Sequence, residues 1–124
     1  MKNIVLIGMP GCGKSTIGVV LAKVLGFDFV DADVLIQKKH GKLLRELIAE
    51  YGDDGFLQIE NDVNKEIDLK NTVIATGGSV VYCDEAMQHY VKNDIVVWSD
   101  RFQTGKCKTA WRSVKGWSDF KGSL

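Results

Sequence analysis

The sequence lacks the features of membrane-spanning, repetitive and polyanion-binding proteins. No apolar run reaches the ~18 residues that a membrane-spanning helix needs. Met1-Lys2-Asn3 leads directly into a short apolar segment and predicts no signal peptide. There is no internal repeat and no low-complexity stretch. With 16 basic and 16 acidic residues the net charge is zero, which argues against a polyanion-binding surface and hence against nucleic acid as a partner.

Cysteine is also scarce. Cys12, Cys83 and Cys107 are odd in number, far apart and without the spacing of metal ligands. They predict reduced thiols, and therefore a cytoplasmic location. His40 and His89 fall in polar segments and are expected on the solvated surface.

The composition divides the chain into two parts. Its 124 residues, 45% of them hydrophobic, suffice for one domain with its own core. Residues 101–124 hold six basic residues and one acid, so they carry +5 and leave −5 on residues 1–100. All three tryptophans lie in the last 27 residues. We therefore predict a core over 1–100, with a helical substrate-binding region at about 32–70, and an atypical basic tail over 101–124.

The hydrophobic pattern predicts a three-layer α/β fold with a parallel sheet. Short apolar runs rich in β-branched residues alternate with segments of helical periodicity, which implies crossover connections between parallel strands. The predicted strands are 4–7, 27–30, 72–75 and 94–98, and the predicted helices are 14–25, 32–40, 43–51, 56–67 and 84–91. Beyond residue 101 neither periodicity is sustained, so the C-terminal part of the fold is expected to be incomplete.

A phosphate-binding loop follows the first strand. The segment from Gly8 to Ser15 fits G-x-x-x-x-G-K-[ST], between an apolar strand and an amphipathic helix. Its backbone N–H groups and the helix dipole suit the phosphates of ATP, Lys14 can bridge the β- and γ-phosphates, and Ser15 can ligate Mg²⁺. The predicted nucleotide-binding residues are Gly8, Gly11, Cys12, Gly13, Lys14, Ser15 and Thr16. Thr16 is equally compatible with an ordinary polar position near a helix start.

Two more predicted strands end in residues suited to ligands. Asp31 and Asp33 follow the second strand, where one carboxylate can serve Mg²⁺ and the other a substrate hydroxyl. Gly77 and Gly78 follow the third, and their backbone allows close approach of a ligand. In an open parallel sheet these strand ends meet at one crevice. A helix cap at Asp31 and a plain turn at Gly77 remain alternatives.

These motifs, in this order, resemble the shikimate kinase family over residues 2–98. Besides the phosphate loop, the resemblance rests on Asp31-Ala32-Asp33, on the segment from Gly52 to Glu60, and on the run Ile74 to Ser79. It implies a P-loop fold and MgATP-dependent phosphorylation of the 3-hydroxyl of shikimate. It also implies that Ser15 and Asp31 serve the metal, that Lys14 and Asp33 are catalytic, and that Asp33, Gly77 and Gly78 bind the substrate.

The sequence departs from the family pattern in three places. Leu57 stands where the family has an arginine that pairs with the substrate carboxylate, and Glu60 loses the arginine that it normally steadies. Ser79 replaces the third glycine of a Gly-Gly-Gly run. No counterpart of the family's lid, adenine-contacting segment, last strand or last helix follows residue 98. We therefore expect weak nucleotide binding, little phosphoryl transfer, and self-association of a chain whose intact relatives are expected to be monomers.

The tail suggests a shifted reading frame. Residues 104–124 can be back-translated into codons and then read one base later. With permissible codon choices this shifted frame gives a lid-like sequence with an Arg-Gly pair. The codons of Trp111 and Trp117 leave no choice and each give glycine in the shifted frame. A genuinely divergent C-terminus is the alternative. Two further alternatives concern function, namely a kinase for another small polyol, suggested by Leu57, and a nucleotide-binding module without catalysis.

Overall fold

The computed structural model describes residues 2–8, 13–101 and 109–118, without the side chains of 99–101 and 109–112. Five strands and four helices follow in the order β1 (Ile4–Gly8), α1 (Lys14–Leu25), β2 (Asp28–Asp31), α2 (Ala32–His40), α3 (Leu44–Lys65), β3 (Thr72–Ala75), α4 (Asp84–Asn93), β4 (Ile95–Arg101) and β5 (Thr109–Val114). A short 3₁₀ turn at Val80–Tyr82 precedes α4.

One sheet with the strand order β2-β3-β1-β4-β5 forms the centre of the molecule. The first four strands are parallel, as the strand–helix alternation predicts. The central strand β1 pairs with β3 on one side and β4 on the other. No periodicity is sustained beyond residue 101, yet Thr109–Val114 forms β5, which pairs antiparallel with β4. It is an edge strand, defined more by its pairing with β4 than by a periodicity of its own.

Alternate residues along the strands are buried in two hydrophobic cores, which lie on opposite faces of the sheet. Val5 and Ile7 of β1 pack with residues of α4, such as Met87 and Tyr90. Leu6, between them in sequence, packs with Ala22 of α1 on the other face. This alternation follows from the two-residue period of a strand, and the helix–sheet–helix arrangement confirms the predicted three layers.

The helical region between β2 and β3 has a small core of its own. Ile36 of α2 packs against Leu47, Phe56 and Val63 of α3. Two helices over 43–51 and 56–67 were expected, and α3 is helical on both sides of Gly52, whose φ of 74° and ψ of 177° break the helical geometry. The region contacts β2 through α2, and α4 and the 3₁₀ turn after β3 through α3.

Candidate active site

A cavity of about 230 Å³ opens at the carboxyl ends of three neighbouring parallel strands. The strands β1, β2 and β3 end at Gly8, Asp31 and Ala75, so the loops that follow them converge on one edge of the sheet. The cavity is lined by Gly13, Lys14, Ser15, Thr16, Asp31, Asp33, Thr76, Gly77 and Gly78. The structure therefore brings together the predicted residues of the helix start, both aspartates and the two glycines.

Lys14 begins α1 with its side chain turned back toward the loop. The residue is buried, and Nζ donates a hydrogen bond to the Gly8 carbonyl oxygen at 2.9 Å. Gly13, just before the helix, has a φ of 81°, a left-handed conformation that favours glycine. The ammonium group is thus held beside the N-terminus of a helix, where backbone N–H groups attract anions. Gly11 and Cys12 lie outside the described residues.

Ser15 and Asp31 face each other across the floor of the cavity. The Ser15 hydroxyl donates to Asp31 Oδ2 at 3.3 Å. The other oxygen, Oδ1, accepts from the backbone N–H of Asp33 at 2.9 Å and caps α2. Asp31 is therefore the helix cap that was an alternative interpretation, and it still presents an oxygen beside Ser15.

The Ser15 hydroxyl and the Asp31 carboxylate are oxygen ligands of the kind that Mg²⁺ takes. The ion usually takes one or two protein oxygens and completes its shell with water and substrate phosphates. Within the described part of the chain no group of three or more His, Cys, Asp and Glu residues is arranged to hold a metal. Ser15 and Asp31 would therefore hold the ion only together with a bound nucleotide, which is the usual arrangement in this chemistry.

Asp33 is a partly buried carboxylate. Burial and the nearby charge of Asp31 raise its pKa above the usual value, and the Lys14 ammonium acts in the opposite direction. A raised pKa makes a carboxylate a stronger base in its ionised form. Asp33 is thus a cavity-lining carboxylate that holds a proton more tightly than an exposed one.

Gly77 lies between two carboxylates. A Cβ at this position would come within 2.7 Å of both Asp33 Oδ1 and Glu60 Oε2, a distance that real Cβ atoms do not show. The residue is buried, and the next position, Gly78, is half-buried. Glycine is therefore required at 77 because two acidic side chains occupy the space of any larger residue.

Glu60 and Ser79 form a pair that the motifs do not predict. Glu60 is almost fully buried in α3, and its Oε1 accepts a hydrogen bond from the Ser79 hydroxyl at 2.6 Å. The Sγ of Cys83 lies 3.9 Å from the same oxygen. Burial raises the pKa of Glu60, the Ser79 hydrogen bond lowers it, and the charge of Asp33 raises it. The serine that replaces a family glycine thus gives Glu60 a partner.

Thr76 is a lining residue that was also missed. Its backbone N–H and its hydroxyl both donate to the Leu6 carbonyl oxygen, at 3.1 and 2.7 Å. These bonds fix the end of β3 to β1. A Thr-Gly-Gly run directly after a buried strand is the sequence signal that indicates this position.

Leu57 and Cys83 both border a second cavity of about 240 Å³. Leu57 is half-buried and packs against the core under α4. Burial raises the pKa of Cys83 to about 12, with a further contribution from Glu60, so its thiol is protonated at neutral pH. Cys83 is a free, buried cysteine, as expected of a reduced thiol.

The two histidines differ from each other. His40 is exposed, as expected. The prediction for His89 is wrong, because it is half-buried and its Nε2 lies 3.0 Å from the Ile67 carbonyl oxygen.

Among the described residues no helix is both long enough and apolar enough to cross a membrane.

The fold and the cavity define a P-loop α/β protein. Its phosphate-loop lysine, its serine and two aspartates meet at one edge of a parallel sheet, in front of a helix start.

Comparison with known proteins gives the family. The sequence model of the family described as "Shikimate kinase" matches residues 10–104. A shikimate kinase of Clostridium botulinum (strain Eklund 17B) is 50% identical over 103 residues, which is 82% of this chain and 62% of that protein. One from Thermodesulfovibrio yellowstonii is 46% identical over 97 residues, 77% of this chain and 56% of its own length. The chain belongs to the shikimate kinase family.

Solved structures agree with this assignment. The shikimate kinase of Acinetobacter baumannii in complex with shikimate superposes with a TM-score of 0.75 at 34% identity, over 79% of this chain and 55% of that one. The enzyme of Aquifex aeolicus gives 0.75 at 31% identity, over 82% and 61%. The chain thus spans about three fifths of the length of the relatives that it matches.

Proposed function

We propose that this chain takes part in the ATP-dependent phosphorylation of shikimate on its 3-hydroxyl. The observation that carries the proposal is the cavity in which Lys14, Ser15, Asp31 and Asp33 converge with Gly77. The relatives at 40–50% identity are shikimate kinases, and one similar structure contains shikimate. We place the reaction in the cytoplasm, in aromatic amino acid biosynthesis, with no nucleic acid partner.

In this proposal each residue at the cavity has a separate task. The backbone of the loop, including Gly11 and Gly13, binds the phosphates of ATP, and Lys14 stabilises charge on the transferring phosphoryl group. Ser15 and Asp31 would hold Mg²⁺, which would supply positive charge to offset the negative charge of the phosphates. The nucleotide set is Gly8, Gly11, Cys12, Gly13, Lys14, Ser15 and Thr16.

Asp33 is the base of the proposed reaction. It accepts the proton of the acceptor hydroxyl while that oxygen attacks the γ-phosphorus, and the bond to the bridging oxygen breaks to release ADP. Gly77 and Gly78 line the acceptor side of the cavity. The proposed organisation is that of a core over 1–100, whose region at about 32–70 binds the acceptor, and an atypical basic tail over 101–124.

A second acceptor class has one specific observation in its favour. Leu57 offers no charge to the carboxylate of shikimate, and a missing partner for a charged group typically costs about 2–5 kcal/mol of binding. A neutral polyol would lose nothing at this position. Comparing shikimate with neutral polyols in the same assay distinguishes the two classes.

Nucleotide binding is the first test. We expect wild-type chain to bind MgADP in isothermal titration calorimetry, and Lys14→Met to weaken binding at least about tenfold, because one charged contact to phosphate is lost. Lys23→Met, in the last turn of the same helix, is the matched control and should bind as wild type. Absence of binding by wild type, or equal binding by Lys14→Met, would contradict the proposal. A coupled assay with shikimate then measures transfer.

A further inference from the structure

A groove lies where helix α2 ends and helix α3 begins. Its volume is about 330 Å³, and its walls come from α2, the turn that follows and the first turn of α3. The residues that the structure describes at this groove differ from those at the active-site cavity. We call it the α2–α3 groove and define it by Val34, Lys38, Gly41, Lys42, Leu43 and Glu46.

Hydrogen bonds at both helix ends hold the groove in shape. Gly41 ends α2 with a left-handed φ of 65°, and its N–H donates to the Gln37 carbonyl oxygen at 2.8 Å. The Gln37 side chain accepts from the Leu44 N–H at 3.3 Å. The Glu46 carboxylate is engaged at the start of α3, where it accepts from the Leu43 N–H at 3.2 Å. A groove that is formed before binding loses little freedom when a ligand enters, which favours affinity.

Two large aliphatic side chains of the groove are open to solvent. Val34 is 41% exposed and Leu43 is 45% exposed. The small core of this helical region is formed by other residues, among them Ile36 and Leu47. Because burial removes apolar surface from water, two exposed aliphatic side chains at one concave place favour an apolar group of a ligand.

The groove lies in a positively charged run of the chain. Residues 38–45 contain four of the ten basic residues of 1–100, and all fifteen acidic residues of 1–100 lie outside this run. Two of the four basic residues form ion pairs with glutamates on the surface. Lys38 and Arg45 are exposed and form no ion pair with any residue that the structure describes. Two cations therefore remain for an anionic partner.

Shape and charge together indicate the class of ligand. An enclosed pocket buries most of the surface of a small molecule, whereas this groove is open at Val34 and Leu43. Its uncompensated cations stand on two different helices, Lys38 on α2 and Arg45 on α3. A flat membrane surface does not fill a concave groove. A polypeptide with an apolar side chain between carboxylates matches both the aliphatic floor and the positive rim.

We propose that the α2–α3 groove is a docking surface for an acidic segment of another protein. An apolar side chain of that segment covers Val34 and Leu43, and its carboxylates face Lys38 and Arg45. Complementary charge of this kind speeds association and selects the partner. The inference goes beyond the proposed function and does not depend on it.

NMR titration of the full chain tests the proposal. The probe is a synthetic peptide in which two leucines are flanked on both sides by glutamates. We expect chemical-shift changes at Val34, Lys38 and Leu43, and weaker binding at high salt, because exposed charges are screened. Replacing the leucines of the peptide by serine, or its glutamates by glutamine, should each weaken binding about tenfold or more.

Variants of the chain test the individual residues. Lys38→Glu should weaken binding about tenfold or more, because an attractive charge pair becomes repulsive. Lys92→Glu is the matched control and should bind as wild type, since Lys92 is also an exposed lysine in the last turn of a helix. Leu43→Ser should weaken binding about tenfold. Serine is a better helix N-cap than leucine, so α3 keeps its start and the melting temperature should not fall.

Four results would overturn the proposal. One is a wild-type chain that shows no shift changes up to millimolar peptide. Another is equal weakening by Lys38→Glu and Lys92→Glu, which would indicate general charge attraction. If the peptide does not bind but vesicles of phosphatidylcholine and phosphatidylglycerol do, and Lys38→Glu abolishes that binding, the groove contacts a membrane. Self-association that Leu43→Ser abolishes, in sedimentation velocity, would assign the groove to a second copy. The kinase proposal is tested separately by MgADP binding and stands or falls without these results.

Discussion

Under the proposed function, Leu57 is the residue that we expect to influence which acceptor charge is preferred. It is half-buried on α3, one turn before Glu60, beside a cavity with room for a longer side chain. We predict that Leu57→Arg strengthens shikimate binding by roughly 30-fold or more, because a guanidinium can pair with its carboxylate in bidentate fashion. Calorimetric titration with shikimate measures the change.

Two comparisons make the Leu57 prediction specific. The methyl ester of shikimate lacks the carboxylate charge, so its affinity should stay nearly unchanged in Leu57→Arg. Leu57→Met, which keeps the volume without the charge, should bind both ligands as wild type does. A gain for the ester as large as for shikimate would show that the arginine does not act through the carboxylate.

Glu60 makes stability depend on pH. Burial is the main cause that raises its pKa above the ordinary 4.5, so the folded protein binds this proton more tightly than the unfolded chain. The free energy of unfolding therefore falls as pH rises from about 4.5 through the folded pKa. We predict that Glu60→Gln removes this component, so its stability relative to wild type increases between pH 4.5 and 7.

Urea denaturation across that pH range tests the prediction. Glu66→Gln, at an exposed surface ion pair with Lys39, is the control and should run parallel to wild type. A constant difference between Glu60→Gln and wild type over the whole range would mean that the carboxylate is not perturbed.

Some residues of the site were predictable because their neighbours in sequence identify them. Lys14 and Ser15 begin α1 and Asp31 and Asp33 stand at the junction of β2 and α2, in motifs whose chemistry is local. The Glu60–Ser79 hydrogen bond joins residues 19 positions apart, one on a helix and one on a loop. Its existence depends on how α3 packs against the 3₁₀ turn and α4, and a pattern along the chain does not contain that packing.

Helix α1 lies so close to the sheet that one position tolerates no side chain. A Cβ on Gly18 would come within 2.6 Å of a ring carbon of Phe29 in β2. We predict that Gly18→Ala destabilises the protein by about 1–3 kcal/mol, the usual cost of overpacking. Val20→Ala, on the exposed face of the same helix, should have a much smaller effect.

A double-mutant cycle tests the stated cause of that loss. Phe29→Leu shortens the opposing side chain, so Gly18→Ala should cost less in that background, with a coupling free energy measurable by urea denaturation. Strict additivity of the two changes would place the origin of the destabilisation elsewhere.

The elements with the predicted bounds are those whose ends carry a signal in the local sequence. The strand at 72–75 has the predicted bounds, and α1 and α2 do as well. Their limits are set locally, for example by Gly26 and Gly41 in left-handed conformations after each helix. Strand β5 was missed because pairing with β4, which is tertiary, supplies its order.

At the scale of the whole molecule, α1 leaves an apolar stripe in solvent. Ile17, Val20 and Val24 lie on one side of the helix and are exposed by 39%, 58% and 76%. We predict concentration-dependent self-association, because contiguous apolar patches of this kind favour contact. The double variant Val20→Lys with Val24→Lys should be monomeric in sedimentation velocity.

A charge placed elsewhere is the control for this prediction. Ile48→Lys adds a lysine at an exposed position of α3 and should associate as wild type does. Equal loss of association in both variants would point to net charge instead of the stripe. A wild-type chain that stays monomeric at all concentrations would contradict the predicted self-association.

The change in composition near residue 101 has no matching break in the packing. Val114 and Trp117 are buried in the core under α4, and Trp117 donates to Asp84 Oδ1 at 3.0 Å. The division into a core and a separate tail, and the shifted reading frame, remain predictions. Composition reports which residues are abundant, whereas their burial is decided by contacts made across the whole chain.

The position of β1 at the centre of the sheet has a consequence for folding kinetics. Ile4 pairs with Val73 on one side and Ile95 on the other, so both partners of β1 are distant from it in sequence. Closing loops of that length costs entropy before any contact repays it. The sheet therefore cannot form from neighbouring segments alone, and we expect long-range pairing at β1 to slow the folding of this domain.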